Sequence, residues 1–255
     1  MATWNPAGYL KFERERTLPC RDLVSRIELE DPKQIADLGC GPGNSSAVLA
    51  NRWPNAILVG IDNSQDMLDA ARKSNVRAEW GLSDIRKWSP SACFDLVFSN
   101  AALQWVPDHQ KEIPRLFTFV LPGGALAFQI PTHTDLWYEI LCRLTEIPKW
   151  QDFFRDFSTD FYTNELGFYY DLLSDRSRRI ETWETRYFHI LSGPEAIVDW
   201  TKATGLRPFL ERLKDLETRS VFLREYTEVI SKAYKKQEDS KLLFPFLRRF
   251  FVAYA

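Results

Sequence analysis

The chain has 255 residues, 45% of them hydrophobic and 27% charged, with nine Trp and eighteen Phe, a make-up that excludes a disordered or low-complexity protein. Its 33 basic and 35 acidic residues leave a formal net charge of −2, so no global field draws it to nucleic acid or to an anionic membrane, and any anion must be met locally. Cys20, Cys40, Cys93 and Cys142 are scattered without a C-x-x-C pair, no secretory signal opens the sequence, and no apolar run nears the ~20 residues that cross a bilayer. The expectation is a soluble cytoplasmic protein with reduced thiols and no metal site.

Residues 35 to 131 alternate short apolar runs with helix-like stretches, the pattern of a parallel sheet covered by helices. The first strand is Gln34–Leu38. A glycine loop follows, and Asn44 or Ser45 is placed to cap a helix through Arg52. Ala56–Ile61 reads as a buried second strand ending at Asp62, then come a helix over Ser64–Lys73 and a short strand near Val76–Trp80. Phe94–Ser99 is a fourth strand. Pro107 is placed to open a helix that runs to Val120, Pro122-Gly123-Gly124 makes a turn, and Ala125–Ile130 is the fifth strand.

Beyond Pro131 the βα rhythm gives way to an aromatic, charged, helix-like stretch. Thr185–Leu191 and Phe246–Tyr254, rich in aromatic and branched residues, read as two strands added at the sheet edge. The expected fold is therefore a doubly wound, mostly parallel, seven-stranded α/β sheet with a helical cap insertion. Its expected parts are an N-terminal arm over 1–30, a ligand-binding core over 31–131, the cap over 132–182, and a C-terminal part over 183–255 that completes the same domain.

Gly39, Gly41 and Gly43, set between a strand and a helix as Asp37-Leu38-Gly39-Cys40-Gly41-Pro42-Gly43, let the backbone turn tightly and approach a ligand with no Cβ in the way. A dinucleotide fingerprint, G-x-G-x-x-G, would place glycine where Asn44 stands, and a bare strand-to-helix turn needs no ligand at all.

Ile35 to Ser46 resembles the first motif of class I S-adenosylmethionine-dependent methyltransferases, and the likeness continues in order along the chain. Asp62 ends the second strand where that family's acid accepts both ribose hydroxyls, with Asn63 beside it and Met67 flanking the adenine. Asp84-Ile85 stand where its adenine-edge acid and apolar neighbour stand, and Ser99–Leu103, with Asn100 and Leu103, occupy its fourth motif. The resemblance thus implies S-adenosylmethionine as cofactor and S-adenosylhomocysteine as product.

Within that superfamily the chain is similar to the trans-aconitate methyltransferase family over nearly its whole length, through Tyr9–Thr17, Ser99–His109, Ala196–Trp200 and Thr204–Leu210. This likeness implies esterification of one carboxylate of a small polycarboxylic acid. Such a nucleophile is ionised at neutral pH, its ordinary pKa being about 4, so no general base is needed. Gln104 and Trp105, just after the fourth strand, offer an amide and an indole N–H to the reacting carboxylate. The other carboxylates call for arginine, whose planar fork donates two parallel hydrogen bonds. Arg207 is the first candidate, followed by Arg16, Arg186, Tyr187, His189 and Tyr9.

Two other readings use the same residues differently. A methyltransferase acting on a neutral oxygen, nitrogen or carbon would need a base, for which His133, after the fifth strand, is the candidate. A non-catalytic subunit would bind the cofactor only to stabilise a partner.

Overall fold

A computed structural model describes residues 12–202 and 204–255. Helix α1 (Glu13–Arg26) precedes strand β1 (Gln34–Leu38), followed by α2 (Asn44–Arg52), β2 (Ile57–Asp62), α3 (Gln65–Arg72), β3 (Glu79–Leu82) and β4 (Phe94–Asn100). A 3-10 turn at Leu103–Trp105 leads to α4 (His109–Phe117) and β5 (Val120–Pro131). The remainder is α5 (Leu136–Glu146), α6 (Leu166–Leu173), β6 (Arg179–Leu191), α7 (Pro194–Lys202), α8 (Arg207–Arg212), α9 (Leu216–Ala233) and β7 (Leu242–Tyr254).

The seven strands form one sheet in the order β3-β2-β1-β4-β5-β7-β6. Neighbours from β3 through β5 pair in parallel, and β7 runs antiparallel to β5. Sequence order reverses direction between β1 and β4, the switch point outside which ligands of open α/β sheets bind.

The chain divides into two compact units. The first takes the described residues up to Pro131, then Tyr162–Thr185 and Arg248–Ala255; the second takes Thr132–Phe161 and Arg186–Leu247. In the first unit, one sheet face buries Ala36, Leu38, Val97, Leu126, Phe128 and Phe251. Phe128 stacks on Phe251 with centroids 5.2 Å apart and meets Tyr169 of α6 edge-on at 5.2 Å. The second unit has its own aromatic core, in which Trp137 of α5 stacks on Phe246 at 5.9 Å and Trp150 meets Phe222 of α9 edge-on at 5.0 Å. Two hydrogen bonds tie this core together: the Tyr226 hydroxyl donates to the Trp137 carbonyl (3.1 Å), and Trp150 Nε1 donates to Glu225 (2.7 Å).

Several element boundaries differ from the sequence expectation. Pro107 does not open a helix, since α4 begins at His109 behind Asp108, whose φ is 57°. That helix ends at Phe117, and β5 already starts at Val120. Pro122-Gly123-Gly124 therefore lies within β5, in an excursion that shifts its register on β4 between the pairs Phe94↔Val120 and Leu96↔Ala125. Strand β3 sits later than expected, and β6 and β7 both begin earlier. Neither Asn44 nor Ser45 caps α2; Gly43 takes that place, with a φ of 94° that L side chains rarely adopt. Among the described residues no helix is long and apolar enough to cross a membrane, and all four cysteines are free thiols.

Candidate active site

The site grows from the carboxyl ends of β1, β2 and β4, all in the first unit. Backbone N–H groups of Gly39 and Cys40 both donate to the Ile61 carbonyl, at 2.8 and 2.9 Å, which bends the loop after β1 over the end of β2. Gly39 has a φ of +72°, and a Cβ there would stand 2.3 Å from the Ala102 Cβ, so the turn after β4 closes down on the loop only because residue 39 is glycine. At Gly43 the chain enters α2 with no side-chain hydrogen bond to cap it, which leaves the first N–H groups of the helix for the loop and its contents.

Asp37 is fully buried at the end of β1, and one of its oxygens accepts from both Ser45 Oγ (2.7 Å) and Ser46 Oγ (2.6 Å). Burial pushes its carboxyl up to about 6, although the two serine hydrogen bonds pull the other way. Ser45, expected as a candidate cap of α2, and its neighbour Ser46 fasten that helix to β1 instead. Their signal in the sequence is their spacing from Asp37, on the first turn after the glycine loop.

Asp62 ends β2 with each carboxylate oxygen accepting one backbone N–H, Gly41 on one and Ser64 on the other, both at 2.9 Å. This locks the carboxylate between loop and helix and leaves further lone pairs on both oxygens. Burial raises its pKa against those hydrogen bonds. Asn63 beside it is exposed. Ser64 caps α3 by accepting from the Met67 N–H, and the Met67 side chain is buried. Asp84 is differently engaged: the Arg86 guanidinium bonds both its oxygens, at 3.1 and 2.5 Å on one of them, and holds the carboxyl below its usual range. Ile85 is buried behind it.

After β4 the backbone turns through Ala101, whose φ of 53° is uncommon for a residue with a Cβ, into the Leu103–Trp105 turn. Asn100 is half-buried at the strand end and Leu103 fully buried. Gln104 is buried, its side-chain Nε2 donating to the Ala101 carbonyl (2.7 Å) while its backbone carbonyl accepts from the Tyr162 N–H (2.7 Å). Trp105 is half-buried and its N–H closes the turn on the Ala102 carbonyl at 3.0 Å. Arg16 of α1 is buried, with its guanidinium 5.9 Å from the Phe12 ring centroid. Tyr9 lies outside the described residues.

In the second unit Arg207 opens α8, its side chain 17% exposed and 3.8 Å from Glu211 one turn on. Burial lowers its pKa while Glu211 opposes the shift. On β6, Tyr187 and His189 face inward and Arg186 is exposed, so the alternation of the strand separates candidates that the sequence had grouped. His189 stacks on Trp200 at 4.5 Å within that unit's aromatic core. His133 stacks on Tyr138 and Phe161, and burial pushes its pKa down to about 3.

A family model described as a methyltransferase domain matches residues 35–124. The trans-aconitate 2-methyltransferase of Azoarcus sp. (strain BH72) is 43% identical over 253 residues, covering 99% of each chain. That of Escherichia coli O8 (strain IAI1) is 40% identical over 253 residues, covering 99% of this chain and 98% of its own.

The chain belongs to the trans-aconitate 2-methyltransferase family.

The family reading made from the motifs is thereby borne out, and the chain is a methyltransferase. Among solved structures, the plantazolicin methyltransferase BpumL aligns over 95% of this chain and 85% of its own at a TM-score of 0.51 and 17% identity. Phosphoethanolamine N-methyltransferase 2 of Haemonchus contortus aligns over 92% of this chain and 52% of its own at a TM-score of 0.56 and 15% identity. At such identities the likeness is one of fold, and it agrees with the seven-stranded, doubly wound sheet expected from the sequence.

Two buried polar residues of the first unit escaped the sequence reading. His109 is buried, with Nδ1 2.8 Å from the Tyr169 hydroxyl and Nε2 2.9 Å from the Leu103 carbonyl. Gln129, embedded in the apolar run of β5, is a buried amide. Gly205, in the segment Thr204–Leu210 that resembles the family, has a packing reason for being there: a Cβ would stand 2.5 Å from the Trp137 ring.

Proposed function

We propose that the protein transfers the methyl group of S-adenosylmethionine to one carboxylate of a small polycarboxylic acid such as trans-aconitate, giving the monomethyl ester and S-adenosylhomocysteine. The observation that carries this reading is 43% identity over 99% of both chains to an enzyme named for that acid and that transfer. The cofactor assignment draws further support from the loop itself. The space at Gly41, where a Cβ would meet nothing within 4 Å, and the spare lone pairs of Asp62 suit a ligand passing over the β1 and β2 ends. BpumL was solved with S-adenosylhomocysteine and the Haemonchus enzyme with S-adenosylmethionine.

Bound S-adenosylmethionine supplies an electrophilic methyl carbon on a sulfonium. The residues of this chain have then to hold, orient and exclude water. Asp62 accepts the ribose hydroxyls on its spare lone pairs, Asn63 and Met67 flank it, and Asp84 with Ile85 borders the adenine. Gly39, Gly41 and Gly43 admit the ligand to the backbone, above Asp37, and Asn100 and Leu103 line the turn after β4. Gln104 and Trp105 hold the reacting carboxylate; a carboxylate oxygen bonds to the methyl carbon, the carbon–sulfur bond breaks, and its electron pair stays on sulfur. No proton moves. Arg207 takes a second carboxylate, with Arg16, Arg186, Tyr187, His189 and Tyr9 as further candidates. The setting is the cytoplasm, with no role for nucleic acid or membrane.

The test is incubation with methyl-labelled S-adenosylmethionine and a panel of tri-, di- and monocarboxylic acids, followed by alkaline release of the label. Base-labile label on a polycarboxylate is the expected result. Label on an amine, alcohol or carbon acid instead, or binding without turnover, would overturn it.

A further inference from the structure

Gln129 is 1% exposed, and neither its amide oxygen nor its amide nitrogen has a hydrogen-bond partner in the structure. An unpaired amide in the interior is costly, about 1–3 kcal/mol for each group left unsatisfied. Its surroundings repeat the pattern. Asn100 is the register partner of Gln129 across the parallel pair β4·β5, and Asp37 pairs with Phe98, two residues before Asn100. The two-residue period of a strand therefore sets Asp37, Asn100 and Gln129 on one face of the sheet, at the carboxyl ends of three adjacent strands. Asp37 Oδ1 and Asn100 Oδ1 are likewise buried without a partner. This face thus carries the Asp37 carboxylate and two side-chain amides, those of Asn100 and Gln129, with three acceptor oxygens and the Gln129 Nε2 donor buried and unpaired.

A row of one carboxylate and two amides matches a zwitterion, whose ammonium has three N–H groups to give to the acceptor oxygens and whose carboxylate accepts amide N–H groups. The order of strands says which end of the methyl donor lies there. With the ribose on Asp62 of β2, a molecule crossing β1 reaches β4 and β5 with the end remote from the adenine. We propose that Gln129 binds the amino-acid end of S-adenosylmethionine, in concert with Asn100; this rests on the function proposed above. Gln129 is a cofactor-binding residue, and it fixes the sulfonium chain so that the methyl group faces one direction.

Calorimetric titration with two adenosine thioethers tests it on the intact protein. S-adenosylhomocysteine carries the amino-acid end, and 5′-methylthioadenosine lacks it. Gln129→Met keeps the volume and removes the amide, and should weaken S-adenosylhomocysteine about tenfold or more while leaving 5′-methylthioadenosine within about twofold. If the variant does not fold, Gln129→Asn, which withdraws the amide by one methylene, should show the same selective loss. Unchanged affinity for both ligands would mean that buried water satisfies the amide, and an equal loss of both would mean a general distortion; either overturns the assignment. Failure of the unaltered protein to bind either thioether would instead overturn the cofactor reading on which it stands.

Discussion

The His109 imidazole bridges the Tyr169 hydroxyl of α6, 2.8 Å from Nδ1, and the Leu103 carbonyl, 2.9 Å from Nε2. A carbonyl only accepts, so Nε2 carries the proton and Nδ1 accepts from the tyrosine, whose oxygen takes the Asn164 N–H at 3.2 Å. Burial favours the neutral ring and pushes the Tyr169 phenol up to about 12, so the relay keeps both protons in place at neutral pH. It anchors the turn that carries Gln104 and Trp105. Tyr169→Phe leaves His109 Nδ1 buried without its donor and should cost about 1–3 kcal/mol, a drop of several degrees in Tm. Turnover should fall with the KM for S-adenosylmethionine unchanged, because the turn and not the ribose site is loosened. A variant as stable and active as the parent protein would show that the relay is incidental.

Asp37 gives a pH signature to cofactor binding. Its folded-state carboxyl sits near 6, above the ordinary value of 3.8, because burial penalises the charge. A sulfonium and an ammonium brought close by the ligand favour the ionised form, so the complex binds fewer protons than the free protein. Affinity for S-adenosylmethionine should be constant above about pH 7 and fall as the pH drops through 6. Asp37→Asn should bind less tightly and flatten that dependence between pH 5 and 7. Titration at several pH values checks it, and a parent profile already flat across that range would remove Asp37 from the electrostatics of the site.

Features set by local spacing were readable from the chain alone. The glycine loop, Asp62 and the order of the first five strands were legible because each is fixed by local spacing: glycines between an apolar strand and a helix, an acid closing the next strand. What remained hidden depends on contacts distant in sequence. Gly39 is required by Ala102, 63 residues on by their numbering, and nothing near the loop announces that partner. Gln129 stands inside Ala125–Ile130, where an apolar run dominates and a lone amide reads as an ordinary strand residue. The second unit was least legible, since it interleaves 132–161 with 186–247 around Trp137, Trp200 and Phe246. Turn chemistry misled at α2, where serine looked like a cap while a left-handed Gly43 filled the position.

His133 separates a carboxylate nucleophile from one that must be deprotonated. It stacks against Tyr138 and Phe161, and its pKa, pushed down to about 3, keeps the ring neutral and makes it a feeble proton acceptor near neutrality. His133→Ala should lower kcat less than about tenfold, and the pH profile of kcat should show no limb that the substitution abolishes. A loss beyond about 100-fold with normal cofactor affinity would transfer the reaction to a neutral nucleophile and make His133 its base.

Arg207 offers the sharpest test of which acid is chosen. Its side chain is largely buried at the start of α8, Glu211 is 3.8 Å away, and burial presses its pKa down, so the charge is held where it is expensive. The planar fork of a guanidinium held in such a place is suited to the paired oxygens of a substrate carboxylate. A lysine keeps the charge and loses the paired donors. Arg207→Lys should therefore raise the KM for a tricarboxylate by about tenfold or more and leave that for a monocarboxylate nearly unchanged. Glu211→Gln should affect both acids little. The comparison of acids is decisive because a structural role has no means of telling them apart: equal loss on both, with an earlier melt, would make Arg207 a helix-stabilising residue and shift the second carboxylate to Arg16 or Arg186.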